Sequence, residues 1–100
     1  MNMLPSQILH QRRAEILEIM KRYPTFTNLR VVGSVARGED TEASDIDFLV
    51  DALPDATLFH LGGLYEDLKE LLGVSIDILT SGSDMPAHMR MTIERDAVPV

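Results

Sequence analysis

The chain has 100 residues, of which 45% are hydrophobic and 25% charged, as in an ordinary globular domain. Sixteen acidic against nine basic residues give a net charge of −7, which opposes binding to polyanions. The absence of cysteine excludes disulfides and thiolate metal sites. Neither a signal-peptide core nor an apolar run of the roughly 20 residues that a membrane span needs occurs. We therefore expect one cytoplasmic domain over residues 1–100, with no membrane contact and no direct nucleic-acid contact.

The first half of the chain predicts a helix followed by two strands. Ser6 is predicted to cap a helix that ends before Pro24, with apolar residues at helical spacing. These residues are Ile8, Leu9, Ile16, Leu17, Ile19 and Met20. Strands are predicted at Leu29–Val32 and Ile46–Val50. Because the segment between them is too short for a helical crossover, we expect them to be antiparallel neighbours.

The second half predicts a helix, a strand and a final helix. A leucine stripe of period 3.6, closed by Gly73, indicates a helix. The stripe consists of Leu58, Leu61, Leu64, Leu68, Leu71 and Leu72. Residues 74–79 alternate as a strand parallel to the second one, and residues 81–86 form a loop. A helix is predicted from about Pro86 to Arg95, before a tail AVPV that is a short strand or an interaction segment. The predicted fold class is α/β, a small mixed sheet with flanking helices.

Two carboxylates begin the second predicted strand. Asp45 and Asp47 point the same way, because side chains alternate along a strand, whereas Ile46 points into the core. Neighbouring carboxylates repel, and a divalent cation relieves that repulsion. Their hard oxygen ligands suit Mg²⁺. Taken alone, the same pair is also typical of a solvated strand edge or a turn cap.

A third carboxylate is predicted on the same face of the sheet. Asp77 lies in the third strand, between Ile76 and Ile78. If this strand neighbours the second, Asp77 joins Asp45 and Asp47. Three carboxylates on one face can hold Mg²⁺ pairs and provide a base for in-line phosphoryl transfer. Alone, Asp77 fits an exposed strand face equally well.

The turn after the first strand has the residues of a phosphate contact. Gly33 allows close backbone approach, and Ser34 offers a hydroxyl and free backbone N–H groups to phosphate oxygens. Arg37 follows on the same segment, within reach of a triphosphate. No GxxxxGK[ST] phosphate loop occurs. By itself, the pattern GSxxxG is more typical of a plain turn.

Together these residues read GSVARGEDTEASDID, followed by a later strand carboxylate. The order along the chain is Gly33-Ser34, a gap of ten residues, Asp45-Ile46-Asp47 and then Asp77. This spacing resembles the signature of DNA polymerase β-like nucleotidyltransferases. The motif Ala36-Arg37-Gly38 and the short length resemble the minimal nucleotidyltransferase branch, the antitoxin partners of HEPN-domain toxins. The resemblance extends from about Leu29 to Leu79.

The resemblance implies a role for each matching residue. Gly33 and Ser34 would hold the β and γ phosphates of ATP, and Arg37 would be a further phosphate contact. Asp45 and Asp47 would bind Mg²⁺, and Asp77 would complete this carboxylate set. The reaction implied is AMP transfer from ATP to a tyrosine of a HEPN ribonuclease toxin, which neutralises the toxin and predicts a hetero-oligomer.

Two other functions compete with this prediction. A binding-only antitoxin would block its toxin by covering it, and would not depend on the carboxylates. Nucleotidyl transfer to a small molecule such as an aminoglycoside is the third hypothesis, although related enzymes of that kind carry a further domain for the acceptor.

Overall fold

The centre of the fold is a four-stranded mixed sheet, seen in a computed structural model that describes residues 3–81 and 86–100. The strands are β1 (Phe26–Val32), β2 (Ile46–Ala52), β3 (Ile76–Ser81) and β4 (Val98–Pro99). Their order is β3-β2-β1-β4. β1 is antiparallel to β2 and to β4, whereas β2 and β3 are parallel. The predicted α/β class and both predicted strand pairings are confirmed.

Helical segments connect and cover these strands. Those in the described part of the chain are α1 (Pro5–Gln11), α2 (Arg13–Met20), α3 (Gly33–Arg37), α4 (Leu58–Leu72) and α5 (Ala87–Asp96). α4 is the crossover between the parallel strands, and it ends at Gly73, which adopts the left-handed conformation predicted for a C-terminal cap. None of the helices described here is long and apolar enough to cross a membrane.

The first predicted helix is interrupted. Its N-cap is Leu4, with Pro5 in the first turn, so the prediction of Ser6 as the cap is wrong. The helix breaks at Arg12, whose ψ of 11° is not helical. α1 packs against α3, whereas α2 packs against α4. The break at Arg12 lets the two segments take different directions, so that each contacts its own neighbouring helix.

The core lies between α2, α4 and one face of the sheet. Ile46, Phe48 and Val50 of β2 are fully buried on this face, as predicted from their alternation. Leu64 and Leu68 of α4 are also fully buried against it. Each such side chain stabilises the fold by roughly 1.5–3 kcal/mol through removal of apolar surface from water.

The leucine stripe of α4 is not buried along its whole length. Leu64, Leu68 and Leu72 are buried, but Leu58 is 85% exposed. The stripe therefore predicts the helix correctly, but it does not by itself show which turns are buried. Thr57 caps this first turn by accepting a hydrogen bond from the His60 backbone N–H. Capping holds the turn in place, although its apolar side chains remain in solvent.

The starts of two strands differ from the predictions. β1 begins at Phe26, three residues earlier than predicted. The sequence pattern missed this start because Thr27 and Asn28 are exposed and belong to an irregular stretch, in which Asn28 has a φ of 55°. β3 begins at Ile76, two residues later than predicted. The AVPV tail contributes β4, a short edge strand. The loop predicted at 81–86 lies mostly outside the described residues.

Candidate active site

The second face of the sheet brings together the carboxylates predicted from sequence. Asp47 of β2 is aligned with Asp77 of β3 in the parallel register. Side chains at paired positions of neighbouring strands lie on the same face, so the two carboxylates point the same way. Asp45 lies two residues before Asp47 and is exposed. The structure thus places all three predicted carboxylates at one end of one face.

Gly33 lies directly against this cluster. It follows Val32, the β1 residue paired with Asp47, and has a φ of +73°. A Cβ at position 33 would lie 2.8 Å from Asp47 Oδ2, closer than atoms tolerate. Glycine therefore suits the left-handed backbone here, and a larger residue would also displace the Asp47 carboxylate. Ser34 follows in α3, half-buried.

The segment between α3 and β2 fixes the distance from Gly33-Ser34 to Asp45. Ser44 Oγ accepts a hydrogen bond from Thr41 N at 2.9 Å, and Ser44 N donates to Thr41 O at 3.0 Å. Asp40 Oδ2 accepts from Ser6 N at 2.9 Å, which attaches this segment to α1. Thr41 and Ser44 therefore position Asp45, a role that sequence reasoning missed, although a Thr and a Ser three residues apart are typical of such side-chain-supported turns.

The electrostatics of the cluster are unfavourable for three ionised carboxylates. Burial raises the pKa of the Asp47 carboxyl, and the charges of Asp77 and Asp45 raise it further. None of the ion pairs formed by arginines and lysines of the described chain ends on Asp45, Asp47 or Asp77. Their ion pairs end on Glu15, Glu18, Glu39, Asp51, Asp67 and Asp96.

The donor set fits a hard divalent cation. Asp47 carries charge repulsion that a cation would relieve, and carboxylate oxygens are the ligands that Mg²⁺ prefers. Within residues 3–81 and 86–100, no three His, Cys, Asp or Glu side chains converge tightly enough to hold a metal ion as they stand. A cation bound here would therefore have to draw the carboxylates closer together.

Arg37, the further predicted phosphate contact, is directed towards α5. Its Nε lies 3.2 Å from Glu39 Oε2, and its Nη1 lies 3.6 Å from Asp96 Oδ2. The guanidinium would have to leave these partners to reach a triphosphate. Of the predicted site residues, Arg37 is the one that the structure does not bring to the carboxylate cluster.

Comparison with known proteins decides the family. Residues 13–99 match the family described as Nucleotidyltransferase domain. The chain belongs to this family. It is therefore a nucleotidyltransferase, as the resemblance of its motifs implied.

Relatives over most of the chain agree. A Methanocaldococcus jannaschii protein named "Putative protein adenylyltransferase" is 33% identical over 92 residues, which cover 92% of this chain and 90% of the relative. The "Protein adenylyltransferase MntA" of Thermococcus cleftensis is 37% identical over 70 residues, or 70% of each chain.

Solved structures share the fold. The "Structure of putative minimal nucleotidyltransferase" superimposes with a TM-score of 0.82 at 36% identity, covering 95% of both chains. The "Crystal structure of the toxin-antitoxin with AMP-PNP" superimposes with a TM-score of 0.69 at 19% identity, covering 86% of this chain and 69% of that chain. At that identity the second likeness concerns the fold alone.

Proposed function

We propose that this nucleotidyltransferase transfers AMP from Mg²⁺-ATP to a tyrosine hydroxyl of a partner HEPN ribonuclease toxin, and thereby neutralises it. The observation that carries the proposal is the alignment of Asp47 with Asp77 beside Asp45, with Gly33 in contact with Asp47. The names of two relatives, which describe protein adenylyltransferases, support a protein as the acceptor. A toxin–antitoxin structure with the same fold supports a toxin as that protein.

The described residues divide between the nucleotide and the acceptor. Gly33 and Ser34 receive the β and γ phosphates, because the backbone there is free of a side chain and Ser34 presents its hydroxyl. Asp45 and Asp47 hold Mg²⁺, with Asp77 completing the carboxylate set. When bound, the metal neutralises triphosphate charge and orients the α phosphate.

The transfer itself needs little covalent help from the protein. The tyrosine oxygen forms a bond to the α phosphorus, the bond from that phosphorus to the bridging oxygen breaks, and pyrophosphate leaves. Asp77 is the carboxylate placed to take the proton of the attacking hydroxyl, because it is exposed on the outer strand of the cluster. The net charge of −7 disfavours a nucleic-acid acceptor and favours a basic protein.

A binding-only antitoxin is the competing function, and exposed apolar residues on α4 are compatible with it. Mutation of the carboxylates separates the two. With the toxin encoded by the adjacent reading frame, Mg²⁺ and ATP, we expect AMP to be added to a toxin tyrosine by the wild-type protein and not by the Asp45→Asn, Asp47→Asn double variant. Equal neutralisation by both, without AMP on the toxin, would establish the binding-only function. Transfer to an aminoglycoside instead of the toxin would support the small-molecule alternative.

A further inference from the structure

The first turn of α4 exposes two adjacent large apolar side chains. Leu58 is 85% exposed and Phe59 is 88% exposed, the two highest values among the exposed large hydrophobic residues of the described chain. Single exposed apolar residues are common, but a contiguous patch beside a concave surface marks an interaction site. Because Thr57 caps this turn, the backbone that carries the two side chains is held in place.

A groove of about 760 Å³ extends from these residues to the candidate active site. Its walls are the exposed side of α4 and the outer strand β3, where it includes Asp77 and Ile78. β3 is the last strand on its side of the sheet, so the groove lies along an edge.

Gly62 opens the middle of the groove. A glycine within a helix costs about 1 kcal/mol relative to alanine, so its presence needs a reason. At Gly63 the reason is visible, since a Cβ there would lie 2.9 Å from the Tyr23 hydroxyl. At Gly62, apart from its chain neighbours and the backbone of α4 itself, no atom of residues 3–81 and 86–100 lies within 4 Å of the Cβ position. Protein packing therefore explains Gly63 and leaves the space above Gly62 open.

The order of the strands assigns this groove to the acceptor. Gly33 and Ser34 follow β1, Asp45 directly precedes β2, Asp47 belongs to β2, and Asp77 belongs to β3. In an in-line displacement the attacking and leaving oxygens lie on opposite sides of the phosphorus. With the leaving pyrophosphate at Gly33-Ser34, the attacking hydroxyl approaches from the Asp77 side, where the groove ends.

The lining of the groove defines what it binds. Aliphatic and aromatic side chains dominate, and the charged residues are Glu66 and Asp77. This composition suits an apolar anchor accompanied by basic side chains. A second copy of this chain fits poorly, because its own charge is −7 and because it would cover the approach to Asp77.

We infer that the groove between α4 and β3 docks the acceptor protein, with an aliphatic or aromatic anchor against Leu58 and Phe59 and a basic side chain near Glu66. This inference rests on the proposed transfer of AMP to a protein. Docking at the groove brings the acceptor hydroxyl to Asp77 and leaves the triphosphate side free.

Replacing Phe59 tests the inference through kinetics. The acceptor is the purified protein encoded by the adjacent reading frame, and Met91→Ser is the control, because Met91 is 72% exposed but belongs to α5. We expect Phe59→Ser to raise the KM for the acceptor about tenfold, as loss of an interface anchor does, with kcat and Mg²⁺-ATP affinity unchanged. Met91→Ser should change none of these quantities.

Gly62 provides a second and independent variant. Gly62→Leu fills the groove and should raise the KM for the acceptor, whereas Gly62→Ala should raise the melting temperature of the protein through helix propensity. If transfer is intact and the KM for the acceptor is unaltered in both Phe59→Ser and Gly62→Leu, the docking role of the groove is wrong, whereas the proposed transfer of AMP still stands. The docking role of the groove is also wrong if light scattering shows that Phe59→Ser only converts a dimer to a monomer. If the wild-type protein transfers no AMP, the proposed function fails, and with it the acceptor role of the groove, even where calorimetry shows weaker partner binding by Phe59→Ser.

Discussion

Two aspartates on the same face of β2 have opposite surroundings. Asp51 lies 2.6 Å from Arg30 Nη2 and accepts hydrogen bonds from Ser81 Oγ and Asn28 Nδ2. These hydrogen bonds and the Arg30 charge lower the pKa of Asp51, with Ser81 contributing most. Asp47, four residues earlier, is aligned with another aspartate, and burial together with neighbouring carboxylates raises its pKa.

The difference separates a carboxylate that the fold neutralises from one that it does not. Both residues have the same chemistry, the same strand and the same side of the sheet. Asp51 finds its counter-charge within the fold, whereas Asp47 requires one from outside. A carboxyl whose pKa is raised by burial and by neighbouring carboxylates is a candidate for a binding or catalytic site.

The largest effect expected from this comparison is on catalysis. Asp47→Asn removes a metal-binding charge and should reduce AMP transfer by at least about 10³-fold, since both ground and transition states depend on the metal. Asp51→Asn should retain transfer within a few-fold. Single-turnover assays with saturating Mg²⁺-ATP measure both, and comparable losses in the two variants would remove the distinction.

Asp77 tests whether the carboxylate on β3 acts in chemistry. Asp77→Asn should lower the transfer rate by about 10²-fold, the usual scale for a general base, and leave acceptor binding nearly unchanged. Rate measurements and calorimetry on the same preparation check the two parts. Full activity in this variant would return Asp77 to the role of an exposed strand residue.

Gly33 and Gly38 share a left-handed backbone conformation, so their alanine variants separate the effect of backbone strain from the effect of a contact with Asp47. Gly33 has a φ of +73° and Gly38 a φ of +72°, but at Gly38, apart from its two chain neighbours, no atom of the described residues lies within 4 Å of the Cβ position. Alanine at either position should destabilise the fold by roughly 1–2 kcal/mol through the left-handed backbone. Only Gly33→Ala displaces Asp47, so it alone should weaken Mg²⁺-ATP binding by tenfold or more. Equal nucleotide affinities in the two variants, measured by calorimetry, would show that the contact with Asp47 is unimportant.

The smallest effects are on stability, and they have opposite signs. A raised pKa makes Asp47 costly to ionise, so its contribution to stability is lost as pH rises through that pKa. A lowered pKa makes Asp51 stabilising, and that contribution is lost as pH falls through its pKa. In EDTA at pH 7, Asp47→Asn should raise the melting temperature and Asp51→Asn should lower it, each by a few degrees. Shifts of the same sign in thermal melts would contradict this account.

The sequence predicts those features that depend on local pattern and spacing. Alternation in β2 predicted the buried face and the direction of Asp47, and the short segment before it predicted the antiparallel pairing. Contacts between distant residues were not accessible in this way. The break at Arg12 follows from packing against two different helices, and the pairing of Arg37 with Asp96 spans most of the chain.

The first turn of α4 shows the same limit. The leucine period predicts where the helix lies, but burial depends on whether another element covers each turn. No such cover exists for Leu58 and Phe59 in the part of the chain described. The approach of Gly33 to Asp47 likewise requires the register between β1 and β2, which sequence spacing alone does not give.

Intact-mass spectrometry of the toxin tests the central claim most directly. Incubation with this protein, Mg²⁺ and ATP should add about 329 Da per AMP transferred, located on a tyrosine by peptide analysis, and the metal-dependent addition should disappear with Asp47→Asn but persist with Asp51→Asn. A toxin neutralised without any gain in mass, equally by wild type and Asp47→Asn, would contradict the account.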